Sequence, residues 1–240
     1  MDELSGKTAV VTGASSGIGK AIALRFGALG MKVILIARRK NELKKVQHGI
    51  QAQGGTAFIY PLDLTRPEAI AKVFRQIHRE RGPVQVLVNN AGIGSFGKPV
   101  VHCSLQEYEQ TFDVNLRAVF LVTKAVLPSM LKVKEGTIIN IGSTYGKNGI
   151  PRSAFYCASK FALEGFSEAL LHEVREYNIG VCLISPERVR IEALGKDRPI
   201  KGNLDHYISV EDVARAAVFC ARHSTTATVR EVILYTRRPI

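Results

Sequence analysis

Tyr156 and Lys160 stand four residues apart in Ser153-Ala154-Phe155-Tyr156-Cys157-Ala158-Ser159-Lys160. On a helix that spacing puts a phenol and an ammonium on one face. A free phenol loses its proton near about 10, too high for efficient acid–base exchange at neutral pH. A nearby ammonium favours the phenolate, so the pair could pass a proton to or from a substrate oxygen. Taken alone, the pair is more often an ordinary amphipathic helix face. Further polar groups accompany it here: Ser143 in Ile141-Gly142-Ser143, whose hydroxyl could polarise a carbonyl, Asn89-Asn90-Ala91-Gly92, and Asn115.

A second constellation is Thr12-Gly13-Ala14-Ser15-Ser16-Gly17-Ile18-Gly19, between an apolar run and an amphipathic one. Gly13 permits a tight turn, Gly17 lets backbone approach a pyrophosphate, and Gly19 lets the helix pack on the sheet. The helix N-terminus then offers unpaired N–H groups to phosphates. A tight strand–helix turn needs glycine even without a ligand, but the strand–turn–helix context favours phosphate binding. The next strand ends in Ala37-Arg38-Arg39-Lys40, with no acidic group to hold a ribose 2′-hydroxyl. Guanidinium suits a 2′-phosphate, which selects NADP(H) over NAD(H), with Arg38 the first choice and Arg39 the second.

The elements that must position these groups alternate along the chain. Near-continuous apolar runs at 8–12, 32–37, 56–60, 84–88, 137–141, 181–184 and 231–235 read as strands buried on both faces. Helices are expected at 17–29, 41–52, 67–81, 105–131, 154–177 and 210–222. Thr65 is placed to cap before Pro67, Ser209 precedes Asp212 in a capping arrangement, and Gly30 and Gly82 fit helix ends. The pattern predicts one α/β domain over 1–240: a doubly wound, parallel, seven-stranded sheet with helices on both faces, Rossmann-like.

Composition excludes little else. A length of 240 residues suffices for a large core, and no apolar run is long enough to suggest a membrane span or a secretory signal. The four cysteines are scattered without a CxxC pair, so no metal site is expected and a reducing, cytoplasmic setting suits them. The net charge of +12 is spread along the chain without a nucleic-acid-reading motif, so no nucleic-acid partner is expected.

In their order and spacing, TGASSGIG at 12–19, Asp63-Leu64, NNAG at 89–92, Asn115, Ser143 and YCASK at 156–160 resemble the short-chain dehydrogenase/reductase family over practically the whole chain. The resemblance implies a hydride-transferring oxidoreductase acting on a small carbonyl or secondary alcohol, with Tyr156 as acid/base. It implies that Lys160 lowers the tyrosine pKa and binds the nicotinamide ribose, and that Ser143 orients the substrate oxygen. Asn115 would hold a water in a proton relay, Asp63 and Leu64 would lie against the adenine, and Asn90, with Ala91 and Gly92 beside it, against the adjoining ribose. A homodimer or homotetramer built through the helices at 105–131 and 154–177 is also implied.

The chain departs from the family after the sixth strand. In Pro186-Glu187-Arg188-Val189-Arg190-Ile191, Glu187 stands for a glycine and Ile191 for a threonine that contacts the nicotinamide carboxamide. Main-chain atoms around Val189 could still hold that group, next to Pro186. Residues 187–207 form the expected substrate lid. The altered loop keeps open a second reading, a dinucleotide sensor with the fold and little turnover.

Overall fold

The computed structural model describes residues 3–191, 206–222 and 226–238. Its centre is a parallel sheet of seven strands: β1 (Thr8–Thr12), β2 (Lys32–Ala37), β3 (Thr56–Pro61), β4 (Val86–Asn89), β5 (Gly136–Ile141), β6 (Ile179–Pro186) and β7 (Glu231–Leu234). The order is β3-β2-β1-β4-β5-β6-β7, so the chain reverses direction across the sheet between β1 and β4. In such sheets ligands bind outside the carboxyl ends at that reversal. The helices are α1 (Gly17–Ala28), α2 (Lys40–Gln51), α3 (Pro67–Arg81), α4 (Leu105–Phe112), α5 (Ala118–Val133), α6 (Ala154–Val174) and α7 (Val210–Ala221).

Strand periodicity divides the core in two. Ala9 and Val11 of β1 and Val33 and Leu35 of β2 face Ile22 and Phe26 of α1, Leu43 of α2 and Val213 of α7. Val10, Ile34 and Ile36 face Phe74 of α3, Val122 and Val126 of α5 and Leu171 of α6. Every residue of β1 is buried, which explains why its sequence lacks a polar alternation.

Four expectations need correction. The helix expected over 105–131 is divided: a π turn, Asp113–Arg117, separates α4 from α5. Thr65 does not cap α3; its hydroxyl and its N–H both donate to Asp63 Oδ1, at 2.9 and 3.0 Å, and Arg66 holds the N-cap without a side-chain bond. Asp63, two residues earlier, competes successfully for the hydroxyl. β6 is also longer than expected and β4 is displaced toward Asn89. The Ser209–Asp212 capping box forms, and Gly82 ends α3 at φ 77°. The helical stretch Leu105–Val133 is long and apolar enough to span a membrane by composition, with mean hydropathy 1.4. In the fold α5 packs on α3 and the sheet.

Candidate active site

The first glycine turn is fixed from beneath by β4. Thr12 Oγ1 accepts from Asn90 N (2.9 Å) and Ala91 N (3.1 Å) and donates to Val88 O (3.2 Å). Asn90 Nδ2 donates to Thr12 O at 2.9 Å. A Cβ at Gly13 would stand 2.7 Å from Asn90 Nδ2, and one at Gly19 would stand 2.4 Å from the same atom. Neither glycine tolerates a side chain, and Gly13 (φ 66°) and Gly17 (φ 55°) also take left-handed backbone. The glycines of the turn therefore bring main chain without side chains of their own to the α1 N-terminus, an arrangement that fits phosphates. Ile18 packs on the core behind it.

Two arginines flank the crevice differently. Arg39, the second choice from sequence, donates through Nη2 to Ser16 Oγ at 2.8 Å and Ser15 Oγ at 3.1 Å. Arg38 is exposed on the side of Asp63. The Thr65 N–H bond, and less strongly the Arg38 charge, hold the Asp63 carboxyl below its ordinary value. Leu64 is buried in the α3-side core, so it can offer a ligand little beyond its main chain. Asn90 likewise commits its amide nitrogen to the glycine turn.

At the next strand ends stand the groups expected to do chemistry. Ser143 follows β5 and is buried; its Oγ accepts from Tyr145 N at 3.2 Å, opening the short 3-10 turn Thr144–Gly146. That turn lies on α6: a Cβ on Gly146 would be 2.9 Å from Lys160 O. On α6, Lys160 is 6% exposed and donates from Nζ to Ile141 O at 2.8 Å. The same nitrogen lies 5.7 Å from the Tyr156 ring centroid. Burial pushes the Lys160 ammonium down to about 8, so it stays mostly charged at neutral pH.

Asn115 joins three segments. Its Oδ1 accepts from Ile93 N (2.8 Å), and its Nδ2 donates to Ile93 O (3.0 Å) and to Ser159 Oγ (3.0 Å). Ser159 in turn donates to Tyr156 O at 2.8 Å. A Cβ on Gly92 would lie 3.4 Å from Asn115 Oδ1 and 3.9 Å from Lys160 Nζ, so these groups border one small space. Asn115 thus pins the loop after β4 to α6 from within the π turn.

Sequence reasoning missed several supports. Asn89 Nδ2 donates to Asn140 Oδ1 (2.9 Å) and Thr123 Oγ1 (3.1 Å), and Asn140 Nδ2 donates to Ser167 Oγ (2.8 Å). This buried network ties β4, β5, α5 and α6 together under the site, with satisfied polar groups that favour a single arrangement. A polar residue at 140 inside an apolar strand run, and another at 89 directly after one, are its available signal. Aromatic rings surround Tyr156: Phe96 at 4.7 Å and Tyr145 at 5.7 Å between centroids, with Phe96 and Tyr145 themselves 5.8 Å apart.

The altered segment after β6 has a definite course up to residue 191. Glu187 N donates to Leu234 O, and the Glu187 carboxylate accepts from Thr236 N (3.0 Å) and Thr236 Oγ1 (2.9 Å). Glu187 therefore fastens the end of β6 to the chain leaving β7. Pro186 is buried at the end of β6, and Val189 forms a bridge with Ile208. Ile191 Cγ2 lies 3.0 Å from the position of a Cβ on Gly17, which places its side chain over the glycine turn. Most of the expected lid, 192–205, lies outside the described residues. A cavity of about 440 Å³ lined by Gln47, Phe58, Tyr60 and Arg81 sits at the β3 edge, away from Tyr156; the strand-end chemistry, not this cavity, marks the site.

A family model described as short chain dehydrogenase matches residues 7–200. An uncharacterized oxidoreductase of Staphylococcus saprophyticus is 33% identical over 248 residues, covering 100% of both chains. A short chain dehydrogenase of Pseudocercospora fijiensis is 37% identical over 205 residues, 85% of this chain and 66% of that one. This chain thus spans slightly less than two thirds of that relative. A crystal structure of a metagenomic short-chain oxidoreductase in complex with NADP is similar at a TM-score of 0.86 and 36% identity, covering 100% of this chain and 99% of that one.

Proposed function

Because this chain belongs to the short chain dehydrogenase family, we propose that it is an NADPH-dependent oxidoreductase interconverting a carbonyl and a secondary alcohol, with Tyr156 as general acid/base. The observation that carries the reading is the placement of Lys160, whose buried ammonium is held by the Ile141 carbonyl at 2.8 Å beside the Tyr156 ring. The hydride is the chemistry that NADPH supplies when bound. The chain's own residues bind, orient and move the proton.

Gly13, Ser15, Ser16, Gly17, Ile18 and Gly19 would hold the pyrophosphate on the glycine turn and the α1 N-terminus. Arg38, with Arg39 beside the serines, would take the 2′-phosphate, in keeping with the NADP of the similar metagenomic structure. Asp63 and the main chain of Leu64 would border the adenine, and main chain at 90–92 the ribose. Ser143 would orient the substrate oxygen. Tyr156 would protonate that oxygen in reduction and take the proton back in oxidation, with the Lys160 ammonium stabilising the phenolate. Asn115 would position a relay water by fixing Ile93 and α6. Main chain near Pro186 and Val189 would hold the carboxamide.

The test is NADPH consumption with a panel of ketones and aldehydes. Turnover that disappears in Tyr156→Phe supports the reading; NADPH binding without turnover on any carbonyl overturns it in favour of the sensor. Ile191 over Gly17 is the observation that favours that second reading, because an apolar side chain stands over the phosphate turn. We also assign the chain to the cytoplasm and to a homodimer or homotetramer, for which Phe120 on α5 and Phe161 on α6 offer exposed apolar surface.

A further inference from the structure

Phe96 is a large apolar side chain left 40% exposed, yet its ring has a defined seat. The ring folds back on Gly94, where an added Cβ would stand 2.0 Å from Phe96 Cε2, so only glycine admits it. Gly97, at φ 81°, returns the chain in left-handed backbone immediately afterwards. Lys98 then anchors the loop, through N–H to Arg152 O at 3.3 Å and through Nζ to the Glu107 carboxylate at 2.8 Å. Two glycines and a pinned lysine thus hold the ring against Tyr156.

The contact geometry has a chemical character. Phe96 meets Tyr156 at 60° and Tyr145 at 84°, and Tyr145 meets Tyr156 at 74°, all edge-to-face arrangements. Such edges and faces reward a flat π surface beyond the area it buries, while an alkyl chain gains only the area. Ser143 and Lys160 are buried while Phe96 and Tyr145 both touch the Tyr156 ring, so a carbonyl held at the phenol stands next to these two rings. Tyr108 packs on Phe155, the residue before Tyr156, with centroids 5.3 Å apart, and Tyr108 and Ile150 are both exposed apolar side chains.

We propose that Phe96 is a specificity-determining residue that, with Tyr145, selects carbonyl substrates bearing a flat aromatic group over linear alkyl carbonyls of equal size. The inference rests on the reading of Tyr156 as the acid/base of a carbonyl reductase and adds the substrate class.

The test compares acetophenone with 2-octanone, two eight-carbon ketones, under NADPH in the full chain. The parent should favour acetophenone by at least about tenfold in kcat/KM, the scale on which apolar contacts discriminate. Phe96→Ala should erase most of that ratio, chiefly through KM for acetophenone. Phe96→Tyr should restore it, and a melting curve and an NADPH titration unchanged from the parent would show that Phe96→Ala is folded and cofactor-competent. Turnover of both ketones with no preference, a preference for 2-octanone, or equal losses on both in Phe96→Ala would overturn the proposal and leave the oxidoreductase reading standing. Absence of turnover on every carbonyl would overturn both together.

Discussion

Lys160 reaches under Tyr156 and is held there: its ammonium donates to the Ile141 carbonyl at 2.8 Å while standing 5.7 Å from the phenol ring's centroid. The charge cannot swing toward solvent without leaving a carbonyl behind. Its position is therefore part of the fold.

Stability should report this burial. Burial holds the Lys160 pKa down to about 8 in the folded protein against an ordinary value of 10.5. Between those values the unfolded chain holds more protons, so folded-state stability rises with pH across that window; below about 8 the cost of burying the charge is fully present. Lys160→Met should melt higher than the parent in the absence of cofactor, by on the order of 1–3 kcal/mol at neutral pH. The gap should narrow as pH rises toward 10.5. Melting curves of both proteins across that range would check it, and a gap independent of pH would reject the assignment.

Tyr156→Phe removes the exchangeable proton and keeps the ring that Phe96 and Tyr145 touch. Turnover should fall by about a thousandfold or more, while NADPH affinity changes less than about threefold. Single-turnover kinetics and a fluorescence titration measure the two separately; equal rates for variant and parent would exclude the acid/base role.

Arg38 and Arg39 should separate by cofactor. Arg38→Ala should weaken NADPH about tenfold or more and NADH little, because the lost partner is the 2′-phosphate. Arg39→Ala also releases the Ser15 and Ser16 hydroxyls, so both cofactors should weaken, NADPH more. Calorimetric titration of each would decide. Equal losses of NADPH and NADH in Arg38→Ala would count against a 2′-phosphate contact.

Glu187→Gly would remove the carboxylate that receives two bonds from Thr236. Losing a charged acceptor should cost about 1–3 kcal/mol, seen as a lower melting temperature, with Glu187→Gln intermediate. An unchanged melting temperature would mean that the two strand ends need no such fastening.

What could be read from sequence followed physical necessity. β1 and β2 lie where their apolar runs predict, at Thr8–Thr12 and Lys32–Ala37, because both faces are buried. Tyr156 and Lys160 were legible because helix spacing alone decides that they share a face. What long-range bonds decide was not legible. Thr12 reads as the last residue of a strand, yet its hydroxyl joins β1 to β4; Arg39 reads as the second choice for a 2′-phosphate, with nothing to foretell that it grips the serines. Thr65 met a competing acceptor two residues away, which no capping rule resolves. Phe96 carries no motif, and its meaning comes from what Gly94 leaves open.

The π turn at Asp113–Arg117 holds one residue more than an α-helical turn would. Each residue advances a helix by about 100°, so α5 leaves this turn with its compass shifted relative to α4. Downstream of that offset, Val119, Val122, Val126 and Met130 are among the buried side chains of α5 whose direction it helps to set. Deleting a single residue within the turn would give a straighter, better-bonded rod and steer those four side chains away from the sheet. Regularity there would be the defect.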